Sequence, residues 1–85
     1  MSKAVAVKPK TREELLVIYA DAGELIEGSR WVRSKEDGRM FHLLANDSRA
    51  YEHTLEWVGD YSEGLAHARD KGKYFLIGHN GLEVN

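Results

Sequence analysis

The sequence predicts a mainly β fold with a short N-terminal helix, built from two tandem antiparallel three-strand repeats. One observation is an internal duplication, in which the same residue classes return at nearly constant spacing. A second is that glycines follow acidic, basic or asparagine residues at matching points of both copies, as tight hairpin turns require. A third is the length of 85 residues without cysteine, which allows one small domain with a thin core.

The duplication is clearest around two Glu-Gly pairs. Residues 25–33 align with residues 61–69 at a spacing of 36, and the match extends upstream to Gly23 and Gly59. Downstream the spacing falls to 34, because the first copy has two extra residues before Gly38. Shared identities are few, but the residue classes agree at most positions, which indicates a duplicated unit.

The duplication defines the expected domain organisation. Residues 1–10 combine small apolar side chains, lysines and the only proline, and they predict a flexible N-terminal arm. Residues 11–85 are expected to form a single small domain. Its three parts are an N-terminal segment and two repeats, at 11–22, 23–55 and 56–85.

The N-terminal segment begins with a helix signal. Thr11 and Glu14 have the spacing of a capping box, and Glu13 and Glu14 suit the positive end of a helix dipole. Leu15, Ile18 and Ala22 fit a helical stripe, although the β-branched and aromatic content of residues 15–19 would also suit a strand. Gly23 is expected to end either element.

Alternation along the aligned strands predicts two faces. One face is apolar in both copies and is the best core candidate; it carries Phe41 and Leu43 in the first copy and Phe75 and Ile77 in the second. Tight turns are expected at Asp37-Gly38 and Lys71-Gly72. Later turns at 46–47 and 80–81 are expected to lead into a third strand at 49–52 and 82–84. Each copy is expected to begin with its acidic-glycine turn.

The second copy resembles a WG (KWG) repeat. The resemblance rests on Ser62-Glu63-Gly64-Leu65-Ala66, on Gly72-Lys73, and on Asn80-Gly81 before Glu83-Val84, within Glu56–Val84. Tyr61 and Tyr74 stand for the family's Phe and Trp, while Phe75 replaces the glycine of Trp-Gly. The first copy is similar to a degenerate version of the same repeat.

The resemblance implies a binding module of the kind found in bacterial proteins, in a family without known catalytic residues. Repeat arrays usually need three units before neighbours bury a continuous core, and this chain has two. Three solutions are open at this point: the N-terminal segment caps the stack, a second chain completes it, or the chain is part of a longer array.

The residue patterns predict a protein that is not an enzyme and has no cofactor. Ser62 does not fit a G-x-S-x-G nucleophile elbow, because the first glycine is one residue too far away. The four histidines lack metal-ligand spacing. Glu27 and Glu63 recur once per copy, which favours a local role as acceptors of backbone N–H groups in their turns.

Charge and hydropathy argue against two classes of partner. The net charge of −2 gives no basic field for nucleic acid, and no apolar run approaches the roughly 20 residues of a membrane span. A short apolar stretch at the N-terminus is too brief for a signal peptide. The expected location is cytoplasmic.

The candidate interaction face lies opposite the predicted core and consists of Trp31, Arg33, His67 and Arg69. A half-exposed Trp among arginines has the composition of a protein-binding hot spot, so the leading hypothesis is protein–protein interaction. Packing at the edge of the neighbouring repeat is the alternative for Trp31. The alternative function is a self-associating homodimer, and a distant third is a hydrolase or metal-dependent activity using Ser62, His67 or His79.

Overall fold

The computed structural model describes residues 9–84, which form one helix and six strands in two sheets. The predicted class, mainly β with a short N-terminal helix, is confirmed. The expected flexible arm falls on residues 1–10, of which residues 1–8 lie outside the described part. The elements are α1 (Arg12–Ile18), β1 (Asp21–Ala22), β2 (Ser29–Arg33), β3 (Met40–Leu44), β4 (Trp57–Ser62), β5 (Leu65–Asp70) and β6 (Lys73–Ile77).

The two sheets repeat one antiparallel meander. The first sheet has the order β1-β2-β3 and the second has the order β4-β5-β6. In each sheet a Glu-Gly turn joins the first strand segment to the second, with both turn residues at positive φ: Glu27 at 53° and Gly28 at 78°, Glu63 at 52° and Gly64 at 82°. Two consecutive left-handed residues match the twist of a two-residue hairpin. The duplication is therefore structural as well as sequential.

The strand assignment within each repeat was wrong in two respects. The Glu-Gly turn does not precede the three strands but lies after the first of them, so β1 and β4 were missed. The expected third strand is reduced to single bridges, Leu43 with Arg49 and Ile77 with Glu83. Both bridges follow an equivalent turn, in which Asn46 or Asn80 accepts a bond from the backbone two residues on.

Helix α1 begins as the sequence predicts and ends earlier. Thr11 accepts a bond from the Glu14 N–H, and the Glu14 carboxylate accepts from the Thr11 N–H. The helix stops at Ile18, not at Gly23, and Ala22 belongs to β1. No helix within residues 9–84 has the length and apolar content needed to cross a membrane.

The core lies on both sides of the first sheet. On one face, Phe41 meets Tyr19, which follows α1, edge to face at 5.8 Å between ring centroids, and Leu15 of α1 is buried in the same cluster. On the opposite face, β4 packs against β2 and β3. The second sheet contributes its inner side chains to that layer, and these are fully buried: Val58, Ala66, Ala68 and Ile77.

Two glycines with the same backbone conformation are expected to differ in their tolerance of alanine. Gly72 has φ 76° and open space where a Cβ would lie, whereas a Cβ at Gly81, φ 77°, would lie 2.5 Å from the Tyr51 ring. Gly72→Ala is expected to cost about 1–2 kcal/mol of unfolding free energy from backbone strain alone. Gly81→Ala is expected to cost about 2–5 kcal/mol, because overpacking adds to that strain. Urea unfolding of both variants measures the difference, and equal losses would contradict the packing of Gly81 on Tyr51.

Candidate functional site

The second repeat covers the face of the first sheet that lies opposite α1. This face carries Trp31, Arg33, Met40 and His42, of which Met40 and His42 are completely buried. The His42 Nε2 lies 2.8 Å from the Gly59 carbonyl oxygen of β4. The Tyr51 hydroxyl lies 2.7 Å from His42 Nδ1, and the Tyr61 ring packs 4.5 Å from the imidazole. A carbonyl can only accept, so Nε2 carries the proton and Nδ1 accepts from Tyr51.

These contacts keep His42 neutral. Burial lowers the pKa of His42 below its ordinary value of 6.5, because the charged imidazolium would lose its hydration there. The hydrogen bond to Gly59 opposes this shift without reversing it. The same burial raises the pKa of Tyr61 to about 12, so both rings stay uncharged near neutral pH. The buried centre of the interface between the repeats thus contains neutral, hydrogen-bonded polar rings.

Trp31 lies in this interface rather than on a free surface. It is partly buried and packs against the core cluster, and its indole lies directly on Gly23, where any Cβ would collide with it. Gly23 also donates its N–H to the Trp31 carbonyl oxygen at 2.9 Å. The structure therefore gives Trp31 a packing role, against the core cluster and against Gly23 of its own repeat.

The equivalent face of the second sheet is exposed. The residues at the positions of Trp31, Arg33, Met40 and His42 are His67, Arg69, Tyr74 and Leu76, and we call them, with Trp57 beside them, the open face. Tyr74 is 73% exposed, Trp57 41% and Leu76 37%. Among residues 9–84, no element covers this face. Equivalent faces of the two sheets therefore differ: the face is buried in the first repeat and exposed to solvent in the second.

A groove of about 440 Å³ runs along the edge of the open face. Its walls are Arg33, Glu56, Trp57, Arg69 and Tyr74. The Arg69 guanidinium carbon lies 5.4 Å from the centre of the Tyr74 ring, which is cation–π distance. Two guanidinium groups between two aromatic rings favour a ligand that combines carboxylates with apolar surface.

The structure brings three of the four predicted site residues to one region. Arg33 and Arg69 line the groove, and His67 is exposed on the same side of β5. Trp31 is separated from them by its packing in the interface. The sequence reasoning did not identify Trp57 and Tyr74 as surface residues. Their alignment with Asp21 and Met40 carried no sign that the second copy would be uncovered.

The two Glu-Gly turns are linked by one carboxylate. Glu27 accepts the Glu63 N–H at 2.6 Å through one oxygen and the Gly64 N–H at 2.9 Å through the other. Glu27 therefore does accept backbone N–H groups, but from the turn of the next repeat rather than from its own. These bonds, first that of Gly64, lower the pKa of Glu27, and His79 lies 3.5 Å from the same carboxylate while stacking on Tyr61.

The residues of the hydrolase or metal hypothesis are not assembled into a site. Ser62 is exposed at the end of β4 and leads into a hairpin, not a helix. His67 lies on the open face, and His79 lies against Tyr61 and Glu27. Within residues 9–84, no group of three or more His, Asp or Glu side chains is placed to hold a metal ion.

Comparison of the chain with protein-family models, with curated proteins and with solved structures found no match in any of the three. The resemblance to WG repeats stays a prediction from the sequence.

His42 is expected to make stability depend on pH. The unfolded chain takes up a proton near pH 6.5, and the folded chain does so only at lower pH. The contribution of His42 to the free energy of unfolding is therefore constant above this range and falls as the pH drops below it, by up to about 1.4 kcal/mol per pH unit. Urea unfolding between pH 7.5 and 5 measures the slope. His42→Gln is expected to reduce this slope by up to about 1.4 kcal/mol per pH unit. An unchanged slope in this variant would contradict the assignment to His42.

The two repeats are expected to respond differently to loss of an aromatic side chain on equivalent faces. Trp31→Ala is expected to cost about 2–4 kcal/mol, because it removes a side chain from the interface. Tyr74→Ala is expected to change stability by about 0.5 kcal/mol or less, since its ring is mostly in solvent. Thermal unfolding measures both, and a large loss for Tyr74→Ala would show that the open face is covered.

Proposed function

We propose that this chain is a non-enzymatic, WG-repeat-like β module that mediates protein–protein interaction through the open face of its second sheet. The docking surface comprises Trp57, Arg69, Tyr74 and Leu76, with Arg33 and His67 at its margin. This retains Arg33, His67 and Arg69 from the predicted interaction face and replaces Trp31 by Trp57 and Tyr74.

The observation that supports this proposal is the unequal burial of equivalent residues. In the first sheet, Met40 is 1% exposed and His42 is 0% exposed. Tyr74 of the second sheet, which is equivalent to Met40, is 73% exposed. The backbone of both repeats forms the same meander with equivalent turns. A surface that packs against protein in one repeat has the shape to pack against protein in the other.

The chemistry of the open face favours a partner different from this chain. Trp, Tyr and Arg are the residue types that dominate binding energy in protein interfaces. A twofold dimer through this face would bring Arg69 and its neighbour Arg33 towards their own copies, and like charges in a desolvated interface cost free energy. A partner with carboxylates beside apolar side chains complements the face better. The homodimer remains the alternative, and light scattering over a dilution series distinguishes it.

Removal of the Tyr74 ring is expected to abolish partner binding without unfolding the protein. The measurement is affinity capture from a lysate of the source cells, with wild-type chain, Tyr74→Ala and Val17→Ala as baits. Val17 is a matched control, since it is 75% exposed and lies on α1, across the first sheet. The expected result is a set of proteins held by wild type and Val17→Ala and lost, by at least about tenfold, with Tyr74→Ala.

Two results would count against the proposal. Equal capture by all three baits would place the binding surface elsewhere. A persistent dimer of the wild-type chain that Tyr74→Ala dissociates would assign the open face to self-association. Circular dichroism of each bait establishes that the variants are folded.

A further inference from the structure

The surface beside the open face holds a second set of groups whose equivalents in the first repeat bind the neighbouring repeat. The Glu27 carboxylate accepts the backbone N–H groups of Glu63 and Gly64, in the turn of the second repeat. Glu63 occupies the same turn position in the second repeat, with φ 52° against 53° for Glu27. Its side chain is exposed, and among residues 9–84 its carboxylate has no hydrogen-bond or ion-pair partner.

A second pair of equivalent residues points the same way. Arg39, in the hairpin between β2 and β3, reaches the Asp70 carboxylate of the second repeat at 3.0 Å. The residue aligned with Arg39 is Lys73, at the start of β6. Lys73 is exposed, and within the described part of the chain its ammonium group has no acidic partner. The acceptor Glu63 and the donor Lys73 thus occupy the positions whose equivalents, Glu27 and Arg39, bind the neighbouring repeat.

Each of these groups defines one structural feature of a partner that would fit on the open face. Glu63 matches a left-handed two-residue turn that presents two adjacent N–H groups, as the 63–64 turn does to Glu27. The open face matches a sheet of small apolar side chains, as Ala66 and Ala68 supply over the first sheet. Lys73 matches a carboxylate at the end of the second strand of that sheet, where Asp70 stands.

We propose that the open face docks a further β-meander repeat of this same class, with Glu63 clamping its Glu-Gly-type turn and Lys73 pairing with an acid after its second strand. This inference rests on the proposed interaction function and names the kind of partner. A second copy of this chain does not supply such a repeat as folded, because its first sheet is covered by α1 and the second repeat, and its second sheet offers only another open face.

The experiment supplies such a repeat by appending residues 51–84 directly after Val84 of the full chain. The junction keeps the register of the duplication, because the bridges at Arg49 and Glu83 are equivalent. Glu63→Ala is made at the original position in both the normal and the extended chain, with Glu27→Ala and the exposed carboxylate variant Glu52→Ala as controls. The comparison between the two chains cancels any effect of alanine on the turn itself.

The expected result is context dependence. Glu63→Ala lowers Tm of the extended chain by about 3–6 °C more than it lowers Tm of the normal chain. Glu27→Ala lowers Tm in both chains and Glu52→Ala in neither. NMR spectra of the extended chain show dispersed signals for the appended residues and a shifted N–H signal for the appended turn, which returns towards its random-coil position in Glu63→Ala.

Three results would overturn the proposal. Appended residues with random-coil NMR shifts, beside an unchanged original domain, would show that the open face does not accept a repeat. Equal effects of Glu63→Ala in both chains would show that Glu63 is not a clamp. A dimer of the normal chain that Glu63→Ala dissociates would identify the occupant as a second copy. If any of these occurs while capture still depends on Tyr74, the interaction function stands and only the nature of the partner is wrong.

Discussion

A three-stranded sheet of short strands has two faces, and both need cover when both carry apolar side chains. Residues 9–84 form two such sheets and one short helix. The two sheets have four faces, and the packing of the helix and the two sheets on one another covers three of them. The first sheet is covered on both sides, by α1 with its flanking residues and by β4 of the second repeat. Its central strand β2 and its neighbour β3 accordingly contain side chains with almost no exposure on either side. Within residues 9–84 the second sheet is covered on one side only, and that imbalance supports the proposed partner on the other side.

The unusual backbone at Glu63 fits the same interpretation. A glutamate at positive φ costs on the order of 1 kcal/mol or more relative to glycine, since its Cβ crowds the backbone. At Glu27 the cost is offset by the two N–H bonds that its carboxylate accepts from the next turn. Glu63 adopts the same conformation without such a contact in residues 9–84. The shared conformation of Glu27 and Glu63, with contacts at Glu27 alone, is what the proposed docking of a partner at Glu63 would explain.

The sequence predicts most of the fold because local signals and the duplication agree. The capping box at Thr11 placed the start of α1 correctly, and the glycine pairs placed the hairpin turns. Alternation separated Val32, Ala66 and Ala68, which are buried, from His67 and Arg69, which are exposed. The first strand of each repeat was missed, since β1 has only two residues and β4 has a bulge between Val58 and Tyr61 that disrupts its alternation.

The candidate site was only partly predictable, because alternation identifies a face and not its neighbour. Trp31 and Arg33 share a face with Met40 and His42, and the sequence does not show that the second repeat lies on it. The alignment of Trp31 with polar His67 suggested exposure at both positions, whereas the two positions differ in cover. Tyr74 and Met40 are a second such pair: the sequence aligns them, but Met40 is 1% exposed and Tyr74 is 73% exposed.

The polar contacts between the repeats also indicate how a partner on the open face would differ from the second repeat. His42 fixes the register of the internal interface through one bond to Gly59 and one to Tyr51, and a displaced register would leave a buried imidazole unsatisfied. The residue equivalent to His42 is Leu76, which forms no such bond and tolerates small shifts of whatever packs on it. Register on the open face then depends on Glu63 and Lys73 at its margins, where solvent weakens each contact. The internal interface is therefore fixed in register, whereas a partner on the proposed docking surface would have more freedom to shift and to dissociate.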